Sequence, residues 1–194
     1  AAERLGPETQ EAAMHAGGQE LPMHRGVYEP GVALGYAVDP APGRHTATLS
    51  GTADLAPCAP YLALHDLRPP GRYDYEAKGR AFGVIIPLLR AYDSLGLCHF
   101  ALQMGEPPFL DWLNAATGWG MDEAAFLEAG RRIQRLRHAF NRREGLPERF
   151  PLPARERGDP PQEEGPTAGI TLDVETMVRA YFETLNTERG TRET

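Results

Sequence analysis

The stretch Asp93-Ser-Leu-Gly-Leu-Cys98 contains three residue types that suit a ligand site. The carboxylate of Asp93 can accept hydrogen bonds from the N–H groups of a ligand. Gly96 lets a large ligand approach the backbone closely, because it has no side chain. Cys98 can offer a thiolate to a metal or to a reaction. An apolar run at helical spacing precedes the stretch, so we expect these residues at the end of a helix.

Each of these residues also has a structural interpretation, which the residues alone leave open. Cys98 could be a buried apolar cysteine, the commoner fate of a lone Cys. Asp93 could be the N-cap of a following helix, and Gly96 and Leu97 could be ordinary helix residues. Cys58, between Pro57 and Pro60, belongs to no recognisable motif and is predicted to be structural. A disulfide between the two cysteines stays open as well.

Length and composition limit the class of protein. A chain of 194 residues is long enough for one domain with a well-buried core. The formal charge of -7 argues against nucleic acid as a partner. No signal-peptide pattern and no apolar run of bilayer length occur, so we expect a cytoplasmic protein that does not bind membranes. The first residue is not Met, and we expect the chain to be processed or excised from a longer protein.

The hydrophobic spacing predicts an all-α fold, a multihelical domain with about five or six helices and at most a small amount of strand. The 18 prolines and 21 glycines indicate long irregular connections between the helices. Residues 47–77 are predicted to be mostly coil, with a turn of helix at 61–65. The predicted helices are 7–15, 78–92, 93–104, one from Pro107 or Pro108 to about Ala116, 122–143, and a last one beginning after Asp173. Residues 31–38 could form two further helical turns.

The longest predicted helix has an apolar stripe at alternating three- and four-residue spacing. We predict that this stripe faces the core and that the arginines on the other sides form a solvated face. Asp122 is the predicted N-cap of this helix, and Gly145 follows its end. The stripe comprises Phe126, Ala129, Ile133, Leu136 and Phe140, and the arginines are Arg131, Arg132, Arg135 and Arg142.

Several blocks of the sequence resemble one known family in order and spacing. Asp93-Ser-Leu-Gly-Leu-Cys98 resembles the cluster- and pterin-binding motif of the tungsten-containing aldehyde ferredoxin oxidoreductase family. Each block alone is a weak signal, but together they cover almost the whole chain and make a specific match. The other blocks are Gly17–His24, Leu34–Ala37 followed by Gly43–His45, Leu113–Gly118, Gly130–Ile133, Ala139–Gly145 and Leu146–Arg149.

The resemblance implies roles for five residues. Cys98 is the implied fourth ligand of a [4Fe-4S] cluster. Asp93 is implied to accept hydrogen bonds from a tungsten or molybdenum bis-molybdopterin. Gly96 and Leu97 would meet the pterin through their backbone. His45 is the implied active-site histidine, a proton donor or acceptor beside the substrate carbonyl. A neutral imidazole suits that role near pH 7.

The resemblance further implies the oxidation of aldehydes to carboxylic acids, with ferredoxin or another electron-transfer protein as the acceptor. Residues 1–194 would be the C-terminal domain, without the family's N-terminal and middle domains. The middle domain supplies three cluster ligands from a Cys-x2-Cys-x3-Cys group, which does not occur in this sequence. We therefore expect the chain alone to be metal-free and inactive. The family's Asp-Pro-Arg is also missing, since Arg25-Gly26-Val27 follows His24.

Two other functions are compatible with the same residues. One is a related tungsten or molybdenum enzyme with another substrate, such as a reductase acting on an acyl thioester or an aromatic acid. The other is a non-catalytic helical binding domain that kept the motif without the cofactor. Metal content of the full-length protein separates the second alternative from the enzymes.

Overall fold

A computed structural model of the chain describes residues 2–48, 53–103, 105 and 107–187. These ranges contain one regular sheet, an antiparallel hairpin of β1 (His15–Ala16) and β2 (Gln19–Glu20). Two 3-10 helices span His45–Ala47 and Ala53–Cys58. The α-helices are α1 (Ala2–Leu5), α2 (Pro7–Ala12), α3 (Pro30–Val38), α4 (Ala59–Ala63), α5 (Tyr75–Ser94), α6 (Phe100–Gln103), α7 (Phe109–Thr117), α8 (Glu123–Arg143), α9 (Ala154–Arg157) and α10 (Val174–Asn186).

The predicted all-α fold class is confirmed. Within the described ranges, α3, α5, α7, α8 and α10 are the helices of nine or more residues. The remaining helices are single turns or little more, and α9 interrupts a connection without a predicted helix. No helix in the described parts of the chain has the length and apolar character needed to cross a membrane.

Helix α5 lies at the centre of the fold. Both α8 and α10 pack along it, and α3 contacts α5 and α10 with every one of its residues buried. The apolar residues predicted for α5 are buried, and Pro87 lies inside the helix. The helix begins three residues before its predicted start, because the carboxylate of Asp74 accepts a hydrogen bond from the Ala77 N–H at 3.1 Å.

Two further aspartates cap the helices that pack on α5, as predicted. The Asp122 carboxylate accepts from the Ala125 N–H at 2.8 Å, at the start of α8. The Asp173 carboxylate accepts from the Thr176 N–H at 3.0 Å, at the start of α10. Each such cap satisfies a backbone donor that the helix leaves free and typically contributes about 1 kcal/mol.

Three glycines allow the central helices to approach closely. Gly79 and Gly83 of α5 lie against the backbone of α10, at the carbonyl groups of Met177 and Tyr181. Gly130 of α8 lies against the Pro87 carbonyl oxygen of α5, and a methyl group at Gly130 would overlap that oxygen. The distances between these helix axes therefore depend on glycine at each crossing point.

We expect Gly130→Ala to destabilise the chain by roughly 1–3 kcal/mol, because the added methyl group meets backbone that cannot rotate away. The intrinsic helix preference acts in the opposite direction, since alanine is favoured over glycine by about 1 kcal/mol in a helix. Urea denaturation measures the net effect. Ala139→Gly, at an exposed position of the same helix, reports the propensity difference alone. A gain in stability for Gly130→Ala would contradict the close crossing.

The predicted core stripe of α8 is wrong for its C-terminal half. Phe126 is buried, but Leu136 is 71% exposed and Phe140 is 53% exposed. Ala129 and Ile133 are only partly buried. The face of α8 that enters the protein is more polar, and its buried residues are Phe126, Leu127, Gly130, Arg131, Gln134, His138 and Asn141.

The predicted solvated arginine face of α8 is wrong for Arg131 and Arg135, whereas Arg132 and Arg142 are exposed as predicted. Arg131 is buried and donates to the Thr184 carbonyl, and Arg135 donates to the Leu185 carbonyl at 2.8 and 3.1 Å. These two carbonyls belong to the last turn of α10, where a helix has no internal donors left for them. The negative end of the α10 dipole also favours a cation there. The arginines therefore turn inward, and α8 is rotated away from its apolar stripe.

Candidate cofactor-binding site

The residues from Asp93 to Cys98 form the end of α5 and the turn after it. Gly96 has a φ angle of +74°, and its N–H donates to the Asp93 carbonyl at 3.0 Å. This left-handed conformation ends the helix and favours glycine. A side chain at Gly96 would meet no neighbouring atom within 4 Å, so the backbone here is open to approach from outside.

The predicted helix 93–104 and the interpretation of Asp93 as its N-cap are wrong. Asp93 lies in the last turn of α5, and the next helix, α6, begins only at Phe100. Phe100, the first residue of α6, is 52% exposed. The left-handed Gly96 separates the two helices, and the predicted end at Met104 lies outside the described residues.

The two cysteines have different environments and form no disulfide. Cys98 is exposed, as expected for a residue at the end of an apolar helix, and its interpretation as a buried apolar cysteine is wrong. Cys58 is completely buried in the hydrophobic core, in agreement with a structural role. Leu97, between Gly96 and Cys98, is partly buried and packs against the core. Its apolar side chain anchors the turn that presents the thiol.

Arg90 joins this turn to the 3-10 helix that begins at His45. Its guanidinium lies 3.2 Å from the Asp93 carboxylate and donates to the carbonyls of Thr46 and Ala47 at 3.5 and 3.3 Å. The Arg90 side chain is only 13% exposed, which strengthens such charge-assisted bonds. The structure therefore brings the backbone next to His45 to the end of α5, although 48 positions separate His45 from Asp93 in the sequence numbering.

His45 is half-buried, and its ring stacks on the ring of His24. The ring centroids are 4.7 Å apart, and the planes differ by 25°. Burial lowers the pKa of His45, and the nearby charge of His24 lowers it further. His99 is also half-buried, and His45 is one of the groups that act on its pKa. Burial lowers the pKa of His99, and Asp93 acts in the opposite direction. Neither His24 nor His99 has a role that was predicted from the sequence.

Two bonds hold the loop that carries His24. The Tyr36 hydroxyl of α3 donates to the His24 carbonyl at 3.1 Å. The Gly26 N–H donates to the carboxylate of Glu156 in α9. Glu156 is only 2% exposed. Burial raises the pKa of Glu156 to about 6, against the opposing effects of the Gly26 hydrogen bond and of Arg25. The loop therefore lies on a buried acid that favours its protonated form at mildly acidic pH.

A second anchor fixes the segment that leads from α3 to His45. The buried Asp39 carboxylate forms two hydrogen bonds with the Arg137 guanidinium, at 2.8 and 3.1 Å. It also accepts from the Ala41 N–H at 2.8 Å, and Asn141 donates to the Pro40 carbonyl at 2.8 Å. Bidentate arginine–carboxylate pairs set both the position and the orientation of their partners. The α8 helix thus fixes the segment 39–44, which leads from α3 to His45.

The buried Glu156 leads to a prediction on pH and stability. Its folded pKa of about 6 exceeds the ordinary value near 4.5, so the folded chain binds more protons than the unfolded chain between these values. The Glu156 contribution to stability is therefore present below pH 4.5 and is lost as the pH rises through 6. The loss amounts to about 2 kcal/mol at most. Glu156→Gln removes this loss and still offers an oxygen to the Gly26 N–H.

We expect the free energy of unfolding of Glu156→Gln, relative to that of the parent, to increase as the pH rises from 4.5 to 6.5. Urea denaturation of both chains across that range measures the difference. The exposed Glu163→Gln serves as the control and should show no such trend. A difference in unfolding free energy between Glu156→Gln and the parent that does not change with pH would contradict the raised pKa of Glu156.

The described residues contain no group of three or more His, Cys, Asp or Glu side chains arranged to hold a metal ion. Cys98 is thus a single exposed thiol, with Asp93 and Gly96 on the same turn and His45 joined to it through Arg90. Such an arrangement cannot form a complete metal site by itself. It can form one side of a site whose other ligands come from elsewhere.

Comparison with known proteins identifies the family. The family model for aldehyde ferredoxin oxidoreductase, domains 2 and 3, matches residues 1–191. The tungsten-containing aldehyde ferredoxin oxidoreductases of Pyrococcus furiosus and Pyrococcus horikoshii are 28% identical over 165 and 167 residues. The enzyme of the same name from Thermococcus kodakarensis is 26% identical over 170 residues.

Each of these alignments covers 84% of this chain but 26% of the relative. The chain therefore spans about a quarter of the length of the curated relatives that it matches. Because the family model covers nearly the whole chain, the chain belongs to the aldehyde ferredoxin oxidoreductase family.

Proposed function

We propose that this chain forms one side of the cofactor site of an enzyme that oxidises aldehydes to carboxylic acids, with ferredoxin as the electron acceptor. The observation that carries the proposal is the link through Arg90. It brings the 3-10 helix of His45 to the turn that exposes Asp93, Gly96 and Cys98. Relatives named tungsten-containing aldehyde ferredoxin oxidoreductases support the same function.

The residues of the turn fit the implied cofactors, a tungsten or molybdenum bis-molybdopterin and a [4Fe-4S] cluster. Cys98 is an exposed thiol, and a thiolate is the usual ligand of cluster iron. The Asp93 side chain is 42% exposed, so its carboxylate can accept from pterin N–H groups while it stays paired with Arg90. Gly96 leaves its backbone uncovered, and Leu97 holds the turn to the core.

The incomplete ligand set indicates that other domains complete the site. A [4Fe-4S] cluster usually needs four cysteine thiolates. This chain has two cysteines, and Cys58 is completely buried in the core. We therefore propose that N-terminal and middle domains of the whole enzyme supply the other three, and that the chain alone is metal-free and inactive.

The proton balance of the reaction gives His45 its role. An aldehyde and one water yield a carboxylic acid, two electrons and two protons. When bound, the tungsten or molybdenum pterin and the cluster would supply the electron chemistry. A base beside the substrate can take up these protons, and His45 is a half-buried base with a lowered pKa in the 3-10 helix that Arg90 joins to the turn. Its neutral imidazole can accept a proton near neutral pH.

An assay of the complete enzyme tests this function. Purified protein is incubated with a series of aldehydes, and both the carboxylate formed and the reduction of ferredoxin are measured. We expect equimolar aldehyde loss and carboxylate formation, with two electrons transferred for each aldehyde. Activity with an acyl thioester or an aromatic acid instead would favour the related reductase. No activity, in a protein that contains no tungsten, molybdenum or iron, would favour the non-catalytic binding domain.

A further inference from the structure

The stacked pair of His24 and His45 is a feature for which the proposed function does not account. His24 is exposed, whereas His45 is half-buried beneath it. Their ring centroids are 4.7 Å apart, and the planes are inclined by only 25°. The two rings therefore overlap face to face, and His24 covers one side of the His45 ring.

Both rings belong to loops with anchors of their own. The Tyr36 hydroxyl holds the His24 carbonyl, and the buried Glu156 holds the N–H of Gly26 two residues later. On the other side, Arg90 holds the two carbonyls that follow His45 in the chain. The stack therefore joins two separately fixed backbones.

We propose that His24 is a positioning residue for His45: its ring covers one face of the His45 imidazole and fixes the orientation of that ring in the 3-10 helix that Arg90 joins to the turn Asp93–Cys98. The role rests on the proposed function, in which His45 handles the protons. An imidazole that transfers a proton must keep its nitrogens directed at the reacting group. A ring packed on one face has fewer orientations than a free surface histidine.

The pair also has an electrostatic consequence. Two imidazolium ions at this separation repel each other, so protonation of one ring disfavours protonation of the other. Burial is the larger cause of the lowered pKa of His45, and His24 is the second. Other charged or titratable groups near this position include His99, Arg90 with its partner Asp93, and the preceding Arg44. His24 thus helps to keep His45 neutral and able to accept a proton.

Two substitutions separate the stacking from the charge. His24→Phe keeps an aromatic ring over His45 but removes the charge, whereas His24→Ala removes both. Histidine ring signals of the 194-residue chain are followed by NMR across the pH range, and His45→Ala identifies the His45 signal. We expect the pKa of His45 to rise in His24→Phe, and to rise further in His24→Ala because the ring also becomes more solvated. His15→Ala, at another exposed histidine, should leave the pKa of His45 unchanged.

The same variants in the complete enzyme give a second measurement. We expect the acidic limb of the pH profile of kcat/KM to move to higher pH, more for His24→Ala than for His24→Phe. A His45 titration and a pH profile equal to those of the parent in both variants would overturn the proposal, even if His45→Ala inactivates the enzyme. If His45→Ala leaves activity unchanged, the proton role of His45 fails, while the NMR titration still decides whether His24 acts on the His45 ring.

Discussion

In the complete enzyme, His45→Ala should lower the turnover of aldehyde by about a hundredfold to ten-thousandfold, the usual range for the loss of a general acid or base. His45 is half-buried at the start of the 3-10 helix that Arg90 joins to Asp93. None of the residues that we assign to cofactor binding depends on its side chain, because Arg90 bonds to the backbone beyond it. Tungsten and iron content should therefore stay close to that of the parent. Initial rates and elemental analysis of the same preparation measure both quantities.

The histidine at position 15 provides the matched control. It is exposed, lies in the short hairpin, and is substituted by alanine in the same way. The turnover of His15→Ala should match that of the parent. Activity of His45→Ala within twofold of the parent would remove the proton role of His45. A loss of tungsten in that variant would mean that His45 supports the cofactor rather than the reaction.

A second substitution with a large expected effect is Cys98→Ser. A serine oxygen is a harder and weaker ligand for cluster iron than a thiolate, so the complete enzyme should lose most of its iron. The substitution should hardly change the stability of the polypeptide, because Cys98 is exposed and contributes no core packing. Iron per protein chain and the visible absorption of the cluster provide the measurements.

Cys58→Ala is the control for this substitution, since it removes the other thiol of the chain. Cys58 is completely buried, so the variant should lose some stability through a small cavity and keep its iron. An unchanged iron content in Cys98→Ser would exclude Cys98 as a ligand. Equal iron losses in the two variants would indicate a general effect on folding.

The sequence was sufficient to predict the elements whose signals are local. Asp122 and Asp173 start their helices as expected, because a cap depends on residues only three positions apart. The end of α5 at Gly96 has a local cause as well, since glycine readily adopts the left-handed conformation. The predicted continuation from Asp93 was wrong, because helix-like composition after Gly96 does not show that the chain resumes a helix at once.

The orientation of α8 could not be predicted from its own sequence. Its apolar stripe is regular, yet Leu136 and Phe140 are exposed. The deciding contacts join Arg131 and Arg135 to carbonyls about fifty residues later, and Arg137 to Asp39 about a hundred residues earlier. Periodicity describes which residues share a face, but these long-range bonds determine which face is buried.

The site shows the same division between local and long-range signals. Asp93, Gly96 and Cys98 are recognisable as a candidate site because they lie within six residues and carry different functional groups. Arg90 was not recognised, although a charged residue three positions before an acid in a buried helix is a usable signal. The stack of His24 on His45 depends on two loops that meet only in the fold, so no spacing rule indicates it.

The most direct test of the cofactor site is the elemental analysis of the complete, full-length protein purified without air. We predict tungsten or molybdenum together with iron in the proportion of one [4Fe-4S] cluster per chain. The exposed turn from Asp93 to Cys98 would then be part of a cofactor site that other domains complete. A correctly folded full-length protein without tungsten, molybdenum or iron would contradict this account and leave a helical binding domain in its place.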